Sequence, residues 1–126
     1  MPNLRGARDR RAAEAKGRLA EMVAIALLTA KGYALLKRRY KSPSGEVDLV
    51  MRKGDVTAFI EVKARKSHDE AVESVTPYQS RRIAAAASHW MAQDSIANNG
   101  TCRFDIVAVN SRLIPSHIEN AFDGAY

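Results

Sequence analysis

An α/β fold with a mixed central sheet flanked by helices is what the 126-residue sequence predicts, and three observations carry that reading. A long run of strong helix formers comes first; three β-rich runs broken by turn residues follow; a second helix with a marked start then leads into one more strand. The order is α-β-β-β-α-β, with room for a last short strand. Elements in that order build a sheet whose faces are covered by helices.

Residues 1–16 are polar and basic, an arm that is partly disordered or a helix extension, since Ala12 to Lys16 favour helix. Residues 17–126 read as a single domain. From Gly17 to about Lys31, Leu19, Ala20, Met22, Ala24, Ala26, Leu27 and Leu28 predict a helix that Gly32 ends from the C′ position. On a 3.6-residue wheel Arg18, Glu21 and Thr29 share one narrow sector and the remainder is mostly apolar, so this helix must pack on something broad, such as a sheet. Tyr33 to Lys41 reads as a strand and Ser42-Pro43-Ser44-Gly45 as a turn. Glu46 to Arg52 and Val56 to Arg65 read as a hairpin punctuated by Gly54-Asp55. Lys66 to Val75 is polar and irregular. Thr76 then offers an N-cap and Pro77 an N1 residue for a helix reaching about Met91. Asn98-Asn99-Gly100 makes a turn, Cys102 to Asn110 alternates as a strand, and Ser111 to Tyr126 holds a short strand and a tail.

Composition bounds the function classes. Apolar residues make up 46% and charged residues 27%, which suits one globular domain and excludes disorder or low complexity. The longest apolar stretch, Leu19 to Ala30, is broken by Glu21 and falls short of the roughly 20 residues that cross a bilayer. A soluble protein with no membrane partner is therefore expected. The N-terminal residues have no apolar core of the secretory kind, and the single Cys102 cannot form an internal disulfide, so a cytoplasmic setting is expected. His68, His89 and His117 are scattered and form no zinc pattern with Cys102. His68 reads as a solvated loop residue, His89 and His117 lack a partner pattern, and Cys102 reads as a strand-start residue without chemical consequence. Trp90 and Met91 read as core, and Asp105 as support for the sheet end or for Arg103.

The formal charge of +6 is unevenly placed. Residues 1–63 carry 14 basic and 7 acidic side chains and residues 64–126 carry 6 and 7, so the whole excess lies in the first half. It gathers in Arg5, Arg8, Arg10, Arg11, Lys16 and Arg18 and again in Lys37, Arg38, Arg39 and Lys41. Such clusters suit a polyanion, whose condensed counterions are released on binding, or equally a solvated basic surface.

The hairpin register makes a sharper prediction. With Gly54-Asp55 as a two-residue type II′ turn, Met51 faces Ala58, Leu49 faces Ile60 and Val47 faces Val62 on one side. On the other side Val50 faces Phe59, Asp48 faces Glu61 and Glu46 faces Lys63. A four-residue turn would instead pair Glu46 with Glu61 on that same face. Opposed like charges destabilise a sheet. A divalent cation resolves the conflict, because carboxylates completed by water and phosphate oxygens are the ligand set of Mg²⁺ in phosphoryl-transfer sites. Lys63 would orient a hydrolytic water or neutralise transition-state charge. An exposed sheet face with ordinary surface charges is the bland alternative.

Asp48, followed after a hairpin by Glu61-Val62-Lys63, resembles the PD-(D/E)xK nuclease signature, whose core is restriction-endonuclease-like. The wider strings Gly17-Arg18-Leu19-Ala20-Glu21, Gly45-Glu46-Val47-Asp48-Leu49-Val50, Phe59 to Arg65 and Cys102 to Ala108 resemble the YraN family of small bacterial proteins, predicted endonucleases similar to archaeal Holliday-junction resolvases. The likeness runs from about Gly17 to Phe122. It implies Asp48, Glu61 and the Val62 carbonyl as ligands of Mg²⁺ or Mn²⁺, Lys63 as the catalytic lysine, and Glu21 as a helix acid aimed at the metal. Glu46 would bind a second metal or pair with Lys63, and Gln79 would support the site. Tyr78 stands where the family pattern has lysine, and Arg81 and Arg82 compensate. The implied function is Mg²⁺-dependent hydrolysis of DNA, branched or otherwise structured, by a chain that would act as a homodimer and needs no small-molecule cofactor. Arg8, Arg11, Arg18, Lys37, Arg38, Arg39, Lys41, Arg65, Arg81 and Arg82 would contact the nucleic acid. Two rival readings stand beside it: a non-catalytic nucleic-acid-binding module on the same fold, and an accessory protein whose basic N-terminus docks on another protein.

Overall fold

The computed structural model describes residues 4–123; the outermost residues of the arm and of the tail, 1–3 and 124–126, lie outside the described residues. Helix α1 (Leu4–Ala30) precedes strands β1 (Ala34–Ser42), β2 (Gly45–Lys53) and β3 (Val56–Ala64). Helices α2 (His68–Glu73), α3 (Pro77–Met91) and α4 (Ser95–Asn99) then carry the chain over to β4 (Thr101–Val109) and β5 (Pro115–Ile118). The sheet runs in the order β1-β2-β3-β4-β5, with β3 and β4 parallel and every other pair antiparallel. This is the expected α/β fold with a mixed sheet, and it is compatible with a restriction-endonuclease-like core.

Helices cover both faces of the sheet. Ala20, Ala24 and Leu28 of α1 pack with Tyr33, Leu49, Met51, Ala58, Ile60, Val107 and Val109 on one face. Ile83, Ala86 and Ala87 of α3 pack with Val47, Val50 and Phe59 on the other, and Ala71 of α2 joins Ile106 and Ala108 there. Each fully buried Leu, Ile or Met contributes about 1.5–3 kcal/mol, so these two layers account for the position of both helices.

The helix starts earlier than Gly17, because Arg8, Arg10, Arg11, Ala12, Ala13, Glu14 and Lys16 are all good helix formers and Glu14 stands four residues before Arg18. Residues 5–19 bury almost nothing. The apolar sides expected to pack are only partly used, for Leu19 and Met22 remain 47% and 59% exposed. At the far end Gly32 takes the C′ place of a Schellman motif, its N–H bonded to the Thr29 carbonyl and that of Tyr33 to the Leu28 carbonyl. Helix α3 has the expected bounds, with a capping box between Thr76 and Gln79 and Pro77 in the first turn.

Two segments read as irregular are short helices. Ser67 caps α2 by accepting from the Glu70 N–H, and Asp69 and Glu70 sit favourably in its first turn. Asp94 caps α4, so Asn98 and Asn99 end a helix rather than form a free turn. Polar composition concealed both, since caps and turns draw on the same residues.

The hairpin register is correct over five pairs, Lys53 with Val56 through Leu49 with Ile60, and then the ladder ends. Gly54 has φ of +61° and Asp55 does not share a positive φ, as a type II′ turn requires. Past Leu49 the expected pairs Val47 with Val62, Asp48 with Glu61 and Glu46 with Lys63 are absent from the ladder. Strand β1 skips the same place, pairing Arg38 with Leu49 and Tyr40 with Val47 but leaving out Arg39 and Asp48. Val47 accordingly packs with Val50 and Phe59 instead of with Leu49 and Met51, so the facing alternation breaks at Asp48.

Candidate functional site

Where β2 and β3 part, Asp48 substitutes for the missing ladder. Its Oδ2 accepts the Val62 N–H at 2.9 Å, a bond that a backbone carbonyl would otherwise provide. The carboxylate is thereby fixed beside Glu61, whose side chain is 13% exposed. Burial first, and the Asp48 charge and hydrogen bond next, push the Glu61 carboxyl up to about 8, although Lys63 opposes them. Near neutral pH the Glu61 carboxyl therefore keeps its proton beside Asp48.

Lys63 lies two residues along β3 on the same side. Its Nζ is 3.3 Å from Glu61 Oε2 and donates to Gln79 Oε1 at 3.4 Å. That Gln79 oxygen also accepts the Thr76 N–H, so the capping box of α3 holds the amide that orients the lysine. Glu46 does not pair with Lys63. It is exposed, and lines the cleft without a salt bridge among the described residues.

These groups line a cleft of about 390 Å³, with Glu46, Asp48, Glu61 and Lys63 on the sheet side and Thr76, Tyr78, Gln79, Arg82 and Ile83 on the α3 side. Tyr78 is 61% exposed and the Arg82 guanidinium stacks over its ring at 5.8 Å. Arg65 lines the same cleft and also a second one, with Lys16 and Lys66. Arg39 and Lys41 join Glu46 and Asp48 in a third. A fourth holds Arg39 with Arg18 and Glu21. Cations thus border the carboxylates on several sides. Arg81 and Lys37 are exposed away from these clefts, and Arg8 and Arg11 lie on the uncovered part of α1.

Glu21 does not line the acid-lysine cleft but a neighbouring one. It is 9% exposed on α1 and paired with Arg39 and Arg38. Among the described residues no three His, Cys, Asp or Glu side chains converge as a ligand cluster. The donor set that remains still fits a hard divalent cation: two side-chain carboxyl groups set against each other, with the peptide at Val62 beside them, and Mg²⁺ commonly uses one or two carboxylates plus water and phosphate.

A second polar network lies on the α1 face. Asp105 is fully buried and accepts from Arg103 at 2.8 Å, from the Asn120 N–H at 3.0 Å and from His117 Nε2 at 2.8 Å. Burial acts to raise the Asp105 carboxyl, but these bonds outweigh it and hold it below the ordinary carboxylate range. Asp105 does support Arg103, as expected. His117, read as lacking a partner, is its neighbour and stands 2.6 Å from Lys31 Nζ through Nδ1. His89 likewise meets the Tyr40 hydroxyl. An aspartate inside the apolar run Phe104-Asp105-Ile106 was the available signal, since a buried charge demands partners. Trp90 packs at the rim of the α3 core as expected, with its Nε1 donating to Asp94.

Fold and site together define a class: a five-stranded mixed-sheet α/β protein with an acid-lysine cleft where its hairpin opens. The chain belongs to the uncharacterised protein family UPF0102, the YraN-like proteins, whose family model matches residues 20–109. It is 45% identical to a UPF0102 protein of Methylocella silvestris, over 95% of this chain and 97% of that one. It is 48% identical to one from Maricaulis maris over 87% of each chain, and 46% identical to one from Agrobacterium fabrum over 90% of this chain and 93% of the relative. The match spans β1 to β4 and therefore every residue of the cleft. No described helix is long and apolar enough to cross a membrane.

Proposed function

We propose that the cleft hydrolyses phosphodiester bonds in DNA with the help of a divalent cation, and that the substrate is branched or otherwise structured DNA. The observation that carries this reading is the Asp48–Glu61 carboxyl pair with Lys63 beside it, in a cleft bordered by arginines. The likeness of Asp48 and Glu61-Val62-Lys63 to the PD-(D/E)xK nuclease signature supports it. Asp48, Glu61 and the Val62 carbonyl would hold Mg²⁺ or Mn²⁺, which supplies charge neutralisation at the phosphate and acidifies a bound water. Lys63, oriented by Glu61 and Gln79, donates to the phosphate oxygens or to the attacking water and stabilises charge that develops during in-line attack. Arg65 and Arg82 hold flanking phosphates. A two-fold symmetric junction would be met by a homodimer with two such clefts.

The test is incubation of the purified chain with four-way junction, flap, linear and single-stranded DNA and Mg²⁺ or Mn²⁺, beside Asp48→Asn and Lys63→Ala. Metal-dependent cleavage reduced roughly 100-fold or more by each substitution is the expected outcome. Intact DNA binding with no cleavage of any substrate would leave a binding module, and cleavage indifferent to both substitutions would sink the site.

A further inference from the structure

Glu21, the helix acid of the sequence, is held by two arginines. Its side chain is nearly out of solvent, at 12% exposure, whereas the side chains of Arg38 and Arg39 beside it are 47% and 53% exposed. Arg39 Nε donates to both carboxylate oxygens, at 3.3 and 3.4 Å, and its Nη2 donates to Oε2 at 3.3 Å. Arg38 Nη2 lies 3.8 Å from Oε1. Both oxygens are thus taken by guanidinium groups.

The backbone is shaped to make this contact. Arg39 has φ of 51° in the middle of β1, in the left-handed region that a non-glycine residue keeps only when its surroundings over-determine it. It is also the residue that the ladder skips, opposite Asp48. A guanidinium carries five N–H donors, and Arg39 uses only its Nε and Nη2 edge on Glu21. Its Nη1 group has no protein acceptor among the described residues. The same side chain lines both the cleft that holds Lys41, Glu46 and Asp48 and the one that holds Arg18 and Glu21. Across these two clefts Arg18, Arg38, Arg39 and Lys41 stand beside Glu14, Glu21, Glu46 and Asp48, so it is not an excess of positive charge but the half-exposed side chains of Arg38 and Arg39 that suit a phosphate, for which the guanidinium fork is the best-matched donor.

We propose that Glu21 is a positioning residue and not a metal ligand, holding Arg38 and Arg39 as a two-guanidinium clamp for a DNA backbone phosphate next to the acid-lysine cleft. This rests on the reading of that cleft as a DNA site. It also reverses a sign. Deleting an acid beside a polyanion's path should tighten binding by charge alone, whereas deleting an anchor should weaken it.

The experiment measures equilibrium binding of fluorescent duplex and four-way junction DNA to the full chain in EDTA, at several salt concentrations. Mn²⁺ titration of the DNA-free protein runs beside it. Glu21→Gln and Arg39→Lys are each expected to weaken DNA binding roughly threefold to tenfold, with Glu21→Gln combined with Arg39→Ala no weaker than Arg39→Ala alone. Mn²⁺ affinity should be unchanged in Glu21→Gln and lost in Asp48→Asn. Equal or tighter DNA binding by Glu21→Gln, or a loss of Mn²⁺ affinity matching that of Asp48→Asn, overturns the clamp. Should Glu21→Gln fail to fold, Arg39→Lys decides alone, because it keeps the charge and loses the fork; unchanged binding overturns the clamp. DNA binding without cleavage counts against the nuclease reading and leaves the clamp standing, as does an absence of Mn²⁺ binding by the unsubstituted chain. An unsubstituted chain that binds no DNA overturns the clamp.

Discussion

At Asp48 a strand residue gives up its place in two ladders, and its carboxylate takes the Val62 amide instead. The same move sets it against Glu61, and the cost of that contact is readable in pH. The Glu61 carboxyl ionises near 4.5 in the unfolded chain and near 8 in the folded one, so between those values the folded state holds a proton that the unfolded state has released. Its contribution to stability is complete below about pH 4.5 and is lost as pH rises through 8. Asp48→Asn keeps an acceptor for the Val62 amide and removes the opposing charge. It should therefore stabilise the metal-free protein by about 1 kcal/mol at pH 8 and much less at pH 5, measured by urea unfolding at both values. An equal effect at the two pH values would show that Asp48 does not set the Glu61 ionisation. A residue that weakens the resting fold while equipping a cleft is the pattern expected of a functional position.

Among the elements, helix α3 and the start of β2 are fitted to each other at Gly45. A Cβ built there would lie 1.8 Å from the Arg82 carbonyl oxygen and 2.7 Å from its carbon, backbone atoms that cannot rotate away. Gly45→Ala should cost about 3 kcal/mol of stability and pull Gln79 and Arg82 off the cleft, seen as a lowered unfolding midpoint together with weakened DNA binding. An unchanged midpoint would mean that α3 is not seated as described. The elements also show what sequence patterns can reveal. Thr76-Pro77 marked α3 because capping is local chemistry, and Gly54-Asp55 set the register because turn geometry propagates along a ladder. The end of that ladder was not legible, since it depends on a side chain replacing a backbone acceptor. The pairing of Glu21 with Arg39 is hidden for a related reason: Arg39 stands in a left-handed φ that no residue pattern announces. Helices α2 and α4 are not legible in the sequence because their capping residues are also turn residues.

Across the whole molecule, charge and shape point the same way. Helix α1 crosses the sheet so that Leu28 and Tyr33 belong to the core near its C-terminus, whereas Lys16 borders a cleft with Ala64, Arg65 and Lys66 just past β3. Its first turns therefore leave the sheet at the end where the acid-lysine cleft opens. Residues 5–16 carry Arg5, Arg8, Arg10, Arg11 and Lys16 against Asp9 and Glu14, and they bury little, so they contribute to the molecule's field far more than to its core. Exchanging Arg8 and Arg11 together for alanine retains helix propensity and removes no buried contact. Stability should change by less than about 0.5 kcal/mol in thermal unfolding. DNA affinity should fall uniformly across sequences, and the slope of log affinity against log salt should become shallower by about 1 to 2, since each lost phosphate contact removes close to one unit. A slope that does not move would place the exposed half of α1 outside the DNA path and confine the interface to the cleft and its bordering arginines.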